Sequence, residues 1–197
     1  GNTLHFCLRR AGELIRDEGY NPLSAIAEAV EDNFYLPFAG PSLSEKAKQT
    51  AIDKLVGFVA KHEDDMNRIK EVESRIEFPL QRATVMGKVD VILHDNSKLE
   101  IRDYKTSDSV ISLEEVALQV QLYTKGLRMV GEPVEKGSVS FLENAQTDPV
   151  DVSDTALKDA GDTAERYIDG IMKKDFTACP GKFCGKCNYT RICKYKK

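Results

Sequence analysis

Apolar residues recur along this chain with two periods, and the switches between the periods mark out its elements. From Asn2 to Arg16, Leu4, Leu8, Ala11 and Ile15 form one stripe at helical spacing, with His5 at its edge. Asn21-Pro22 predicts a second helix, an N-cap followed by proline at the first position, with Leu23, Ile26, Ala27 and Val30 inward. Phe34 to Pro41 is aromatic and proline-rich, and predicts a loop. Ser42-Leu43-Ser44-Glu45 has the form of a capping box opening a long helix to about Ile69, whose apolar face includes Ile52, Leu55, Val56 and Val59. Val72 to Leu80 reads as a first strand.

The stretch from Val85 to Lys105 changes to period two. Val85, Gly87, Val89, Val91 and Leu93 alternate with Met86, Lys88, Asp90 and Ile92. After a polar break, Leu99, Ile101, Asp103 and Lys105 resume on one face. A tight hairpin with Asp95-Asn96 at its tip fits, because both residues tolerate positive φ. That register sets Lys88 opposite Asp103 and makes Asp90 and Asp103 diagonal neighbours, with Cα atoms roughly 7–8 Å apart. Asp90, Asp103 and Lys105 then point the same way, on the side that Leu99 and Ile101 mark as covered. A carboxylate pair on a covered face needs compensation, and a divalent cation supplies it. The bland alternative is a hairpin with charges on its wet face.

Helical spacing returns from Leu113 to Val130, with Val116, Val120, Tyr123, Leu127 and Val130 in line; Gln119 and Tyr123, four apart, are neighbours. Gly137 to Leu142 is a further strand. Asp151 to Lys174 is a last helix, with Leu157, Ala160, Ala164, Ile168 and Ile171 inward. Helices, three strands, helix, strand, helix is the order of an α/β sandwich around one mixed sheet. A chain of 197 residues fits one domain, 1–197, with 179–197 as a cysteine-rich tail.

Composition narrows the class. Apolar residues make up 41% and charged residues 30%, with no apolar run near the roughly 20 residues that cross a bilayer and no signal-peptide pattern. The chain reads as cytoplasmic, with no membrane partner. It starts at Gly1 directly before a helical pattern, which reads as a fragment of a longer protein. Net charge is −4, so no global basic signature marks nucleic acid, although Lys182, Lys186, Arg191, Lys194, Lys196 and Lys197 make the C-terminus locally basic. The tail runs Cys179-x4-Cys184-x2-Cys187-x5-Cys193. By spacing that is a zinc knuckle or an iron–sulfur site. Cys7 reads as a buried apolar thiol.

Gly87-x-x-Asp90, a short insert, then Asp103-Tyr104-Lys105-Thr106 resembles the core of the PD-(D/E)XK nucleases, and more narrowly the RecB-type nuclease domain fused to many DNA helicases. Three further segments carry the same likeness. Gly1-Asn2-Thr3-Leu4-His5 resembles the family's first motif, whose imidazole binds the catalytic metal. Gln119-x-x-x-Tyr123 resembles its fourth, which lines the DNA path. Cys184, Cys187 and Cys193 resemble three ligands of a 4Fe–4S cluster, whose usual fourth ligand lies upstream of the first motif; Cys179 is the local candidate for it. Glu73 resembles an acidic position that often precedes the metal motif, and reads equally well as a solvated strand charge.

The resemblance implies a restriction-endonuclease-like core and a Mg²⁺- or Mn²⁺-dependent deoxyribonuclease, an exonuclease working with a helicase domain of the same parent chain in DNA repair. Asp90, Asp103, His5 and the Tyr104 carbonyl (or that of Ile101) would hold metal, and Lys105 would act on the water or the charged transition state. Two alternatives stay open: a catalytically silent DNA-end or protein-binding module, and a structural zinc domain without a DNA role.

Overall fold

The computed structural model describes residues 2–106, 113–178, 180–181, 184–185 and 187–195. Its elements are α1 (Asn2–Glu18), α2 (Pro22–Asn33), α3 (Pro41–Lys61), α4 (Glu63–Met66), β1 (Ile69–Pro79), β2 (Thr84–Asp95), β3 (Lys98–Lys105), α5 (Leu113–Met129), β4 (Val134–Phe141), β5 (Gln146–Val150) and α6 (Asp154–Met172). The strands lie side by side in chain order, β1-β2-β3-β4-β5. Neighbours are antiparallel except β3 and β4, which run parallel because α5 crosses between them. This is the mixed sheet between helical layers that the sequence predicts.

Two apolar cores sit on the two sides of the sheet. Cys7, Leu8, Leu14, Ile26, Leu55 and Phe58 from α1–α3 pack with Val91, Leu93 and Tyr104. Val116, Val120, Leu127 and Leu157 from α5 and α6 pack with Ile92, Leu99, Ile101 and Val139. Each of the buried Val, Leu, Ile and Phe side chains contributes about 1.5–3 kcal/mol against exposure. Cys7 is fully buried, and desolvation pushes its thiol up to about 11.

Several boundaries differ from the sequence reading. The Ser42–Glu45 box makes no cap, because the helix already starts at Pro41 behind Gly40, which makes no side-chain capping bond. That helix ends at Lys61 rather than Ile69, and β1 begins at Ile69. The chain leaves the helix at His62, whose φ of −122° is not helical, and α4 then holds Asp65 where its carboxylate accepts from Arg102 of β3 at 2.6 Å and pairs with the nearby Arg68 at 2.5 Å. The strand β5 was not expected, since Gln146–Val150 is short and carries Pro149; it lies at the sheet edge, where proline is tolerated. Leu23, Ala27, Val130 and Ile171 are exposed rather than inward; on α2 the buried face is carried by Ala25, Ile26, Ala29 and Val30 instead. Among the described residues no helix is long and apolar enough to cross a membrane.

Candidate active site and metal centre

The expected hairpin forms two residues out of register. β2 and β3 pair Val91 with Arg102, Ile92 with Ile101 and Asp95 with Lys98, so the turn is Asn96-Ser97. Asn96 takes the positive φ, +56°. A shift of two preserves the faces, where a shift of one would have reversed them. Asp103 and Lys105 therefore still continue the Leu99–Ile101 side. Extended by one step, the register sets Asp90 directly opposite Asp103 rather than diagonal to it. Lys88 lies opposite Arg75 of β1 instead of Asp103, and its ammonium pairs with Glu73.

The β2–β3 ladder stops at Val91, and there the Asp90 side chain takes over. Its Oδ2 accepts the Tyr104 backbone N–H at 2.7 Å. The period-two reading also breaks at this residue. Val85, Gly87 and Val89 lie toward α5, whereas Val91 and Leu93 pack under α1–α3 and Ile92 takes the α5 side. Across the β1–β2 ladder, Val72↔Val91 and Ser74↔Val89 leave Glu73 facing Asp90, and Glu73 sits at φ +52°. Both strands thus change faces at one rung, an irregularity of the kind that re-aims side chains near active sites.

Helix α1 delivers the third group. A Cβ at Gly12 would lie 2.5 Å from Val72 Cγ1, so only glycine lets α1 settle this closely on β1. Two turns earlier, on the same face, His5 Nδ1 stands 3.5 Å from Asp90 Oδ1. His5, Glu73 and Asp90 each offer a donor atom within 4.8 Å of the others, a grouping that no other described residues share. With Leu8, Arg9 and Tyr104 they line a cleft of about 10 Å³, room for one water-sized particle. The contact with Asp90 raises the affinity of His5 for a proton.

Asp103 is buried at 4% exposure, and its Oδ2 makes no directed hydrogen bond although the Lys105 ammonium stands 2.7 Å away. Burial, and then the nearby Asp90, raise its pKa against the opposing pull of Lys105. Lys105 Nζ also donates to Gln119 Oε1 at 3.2 Å, and Gln119 Nε2 donates to the Tyr123 hydroxyl at 3.1 Å. The Gln119–Tyr123 pair is therefore joined to the lysine. Tyr104 meets the site through its backbone; its ring turns the other way, edge-on to Phe58.

Sequence reasoning weighed Glu73 and left it undecided. The discriminating signal was its place opposite Asp90 across the first two strands, which needs the register. Cys179, Lys182, Lys186, Lys196 and Lys197 lie outside the described residues. Gly181 N–H donates to Cys184 Sγ at 3.3 Å, Cys187 N–H to the Cys184 carbonyl and Cys193 N–H to the Tyr189 carbonyl; the thiols of Cys184, Cys187 and Cys193 are not gathered as the His5, Glu73 and Asp90 donors are. A larger cleft of about 780 Å³ opens between β4, β5 and the start of α6, lined by mixed charges including Arg128, Glu135, Lys136 and Asp154. It contains none of these donors.

Residues 1–194 match the family model described as the PD-(D/E)XK nuclease superfamily. No curated protein matches the chain. Among solved structures it is similar to SSO0001 at 20% identity and a TM-score of 0.47, over 98% of this chain and 86% of that one. It is also similar to a protein of Eubacterium rectale described as a putative exonuclease, at 14% identity and a TM-score of 0.51, over 93% of this chain and 76% of that one. The second likeness is one of fold.

Proposed function

Because the chain belongs to the PD-(D/E)XK nuclease superfamily, we propose that it is a Mg²⁺- or Mn²⁺-dependent deoxyribonuclease, an exonuclease that works with a helicase in DNA repair or recombination. The observation that carries this reading is the convergence of His5, Glu73 and Asp90 on one small cleft beside the buried Asp103 and Lys105. The description of the Eubacterium rectale protein agrees with it.

The residues fit a divalent cation. One imidazole and two carboxylates offer nitrogen and oxygen donors within 4.8 Å, and Asp103 Oδ2 is buried without a directed hydrogen bond. His5, Glu73, Asp90 and Asp103 would hold the ion, with the Tyr104 carbonyl beside them. When bound, such an ion supplies a hydroxide nucleophile near neutral pH and offsets phosphate charge. The chain's own groups do the rest. Asp90, anchored on the Tyr104 N–H, keeps its carboxylate fixed relative to β3. Lys105, held by Asp103 and Gln119, presents an ammonium that donates to phosphate oxygens as negative charge develops. Tyr123, whose oxygen accepts from Gln119, keeps its own proton free to donate to the nucleic-acid backbone.

We also assign Cys184, Cys187 and Cys193, with Cys179 as local fourth ligand, to a 4Fe–4S cluster that pins the tail. The spacing supports a metal site, and the resemblance favours iron over zinc.

The test is DNA cleavage with Mg²⁺ or Mn²⁺ and with chelator. Asp90→Ala and Lys105→Ala are each expected to abolish turnover, and Lys105→Ala to retain Mn²⁺ binding by calorimetry. Parental cleavage by Asp90→Ala would remove the site assignment; cleavage undiminished in chelator would remove the metal.

A further inference from the structure

The Gly-x-x-Asp signature puts Asp90 in the site and leaves Gly87 without a task. A Cβ built on Gly87 would fall 2.4 Å from Tyr123 Cε1 and 3.0 Å from both Cζ and the hydroxyl oxygen. The tyrosine ring therefore lies directly on the strand backbone, and only glycine leaves it that place. The hydroxyl so placed receives Gln119 Nε2 at 3.1 Å, and Gln119 Oε1 receives Lys105 Nζ at 3.2 Å. The direction of this chain is fixed by chemistry. An ammonium has donors only, so the glutamine oxygen must face it, and the amide nitrogen then faces the tyrosine.

We infer that Gly87 is a positioning residue for Lys105, acting as the seat of Tyr123 and, through Gln119, as the far end of a three-link support. The inference rests on the nuclease reading only for the consequence in cleavage; the support itself is a property of the folded chain.

The need for it is physical. Lysine has a flexible four-carbon stem, so one ion pair with Asp103 leaves its head free to swing. Gln119 supplies a second anchor, and Gln119 needs its own second bond to stay in one rotamer. Gln119 and Tyr123 are one turn apart on α5, so the pair is rigid once the ring is seated. A methyl group at position 87 moves the ring off the strand. The hydroxyl leaves Gln119, and the amide is then free to turn away from the lysine.

The experiment is a two-residue cycle with two readouts. The variants are Gly87→Ala, Tyr123→Leu, the double variant, and Tyr123→Phe, which removes the hydroxyl without adding bulk. In metal-free protein, acetylation of Lys105 by acetic anhydride, followed by mass spectrometry, reports how firmly the ammonium is held. Single-turnover DNA cleavage with Mn²⁺ reports the chemistry. Gly87→Ala and Tyr123→Phe are each expected to raise Lys105 labelling several-fold. Gly87→Ala should slow cleavage by roughly 100-fold, the scale of a misplaced catalytic group, with Mn²⁺ affinity unchanged. In the Tyr123→Leu background, Gly87→Ala should add nothing to either readout. Unchanged labelling in both Gly87→Ala and Tyr123→Phe overturns the inference. So does a Gly87→Ala penalty of equal size in the Tyr123→Leu background, which would assign the glycine to the strand itself. If the parent neither binds Mn²⁺ nor cuts DNA, the nuclease reading falls, and the labelling cycle still decides on the seat.

Discussion

Asp103→Asn should reverse the order of stability between variant and parent according to whether metal is present. The Asp103 side chain is 6% exposed, with the Asp90 charge close by and no directed hydrogen bond on Oδ2. Its carboxylate is disfavoured in the fold relative to the unfolded chain, so its pKa is raised despite Lys105. At neutral pH the ionised group thus opposes folding, and an isosteric amide removes that opposition. Replacing one ill-compensated charge of this kind is worth about 1 kcal/mol, or about 2–4 °C in Tm for a chain of this size. In chelator, the variant should melt higher by that amount. With Mn²⁺ at 100 times its Kd, the parent gains about 2.7 kcal/mol, or about 5–11 °C, and the variant gains much less, so the order inverts. Differential scanning calorimetry in EDTA and in MnCl2 reads both. A variant that melts lower than the parent in EDTA would make the Asp103–Lys105 pair a net structural asset. An equal gain in Mn²⁺ would remove Asp103 from the metal.

Glu73→Ala should weaken Mn²⁺ binding at least tenfold by calorimetry, since one of three clustered donors is lost; unchanged affinity would leave Glu73 as the partner of Lys88 alone. Asp65→Asn should cost about 3 kcal/mol in urea unfolding at pH 7, because it leaves the buried Arg102 guanidinium one carboxylate short. Contacts with His62, Arg102 and Arg68 hold the Asp65 pKa far below the ordinary range. Its contribution is therefore complete above the unfolded value of about 3.9 and declines as pH falls below that, so the parent–variant gap should narrow between pH 4 and pH 2; a gap constant over that range would contradict the pairing. Anaerobic reconstitution with iron and sulfide should load a brown cluster that Cys184→Ser abolishes. A full cluster surviving Cys179→Ser would exclude Cys179 as fourth ligand, and no iron uptake even in a longer chain would sink the assignment.

The layered α/β fold and much of each helical face were legible because apolar periodicity reports burial, although Leu23, Ala27, Val130 and Ile171 turned out exposed. What the periodicity could not carry was the change of face at Asp90 and Glu73, since alternation along β2 looks unbroken on paper and only the packing of Val89 and Val91 on opposite cores reveals it. The hairpin register was misjudged by two because Asp95-Asn96 and Asn96-Ser97 both suit a turn. The faces survived because the error was even. Asp103 and Lys105 were legible from the hairpin pattern, whereas the roles of His5, Gln119 and Tyr123 came from motif resemblance; in the structure His5 meets Asp90, and Lys105 meets Asp103 and Gln119. Asp65 escaped notice because its buried partner Arg102 lies on β3, far away in sequence.

The strand order has a kinetic consequence for the candidate metal centre. Glu73, Asp90 and Asp103 all belong to β1, β2 and β3, a continuous antiparallel meander closed by short turns. Such local pairings need little loop closure and form early, ahead of the parallel β3–β4 pairing, which must await α5. Three like-charged side chains are thereby crowded before α1 brings His5 down upon them. Lys88 and Lys105 offset part of the carboxylates' mutual repulsion, and a divalent ion held there would offset the rest. Refolding of this chain should consequently accelerate with Mn²⁺, even though the imidazole joins last.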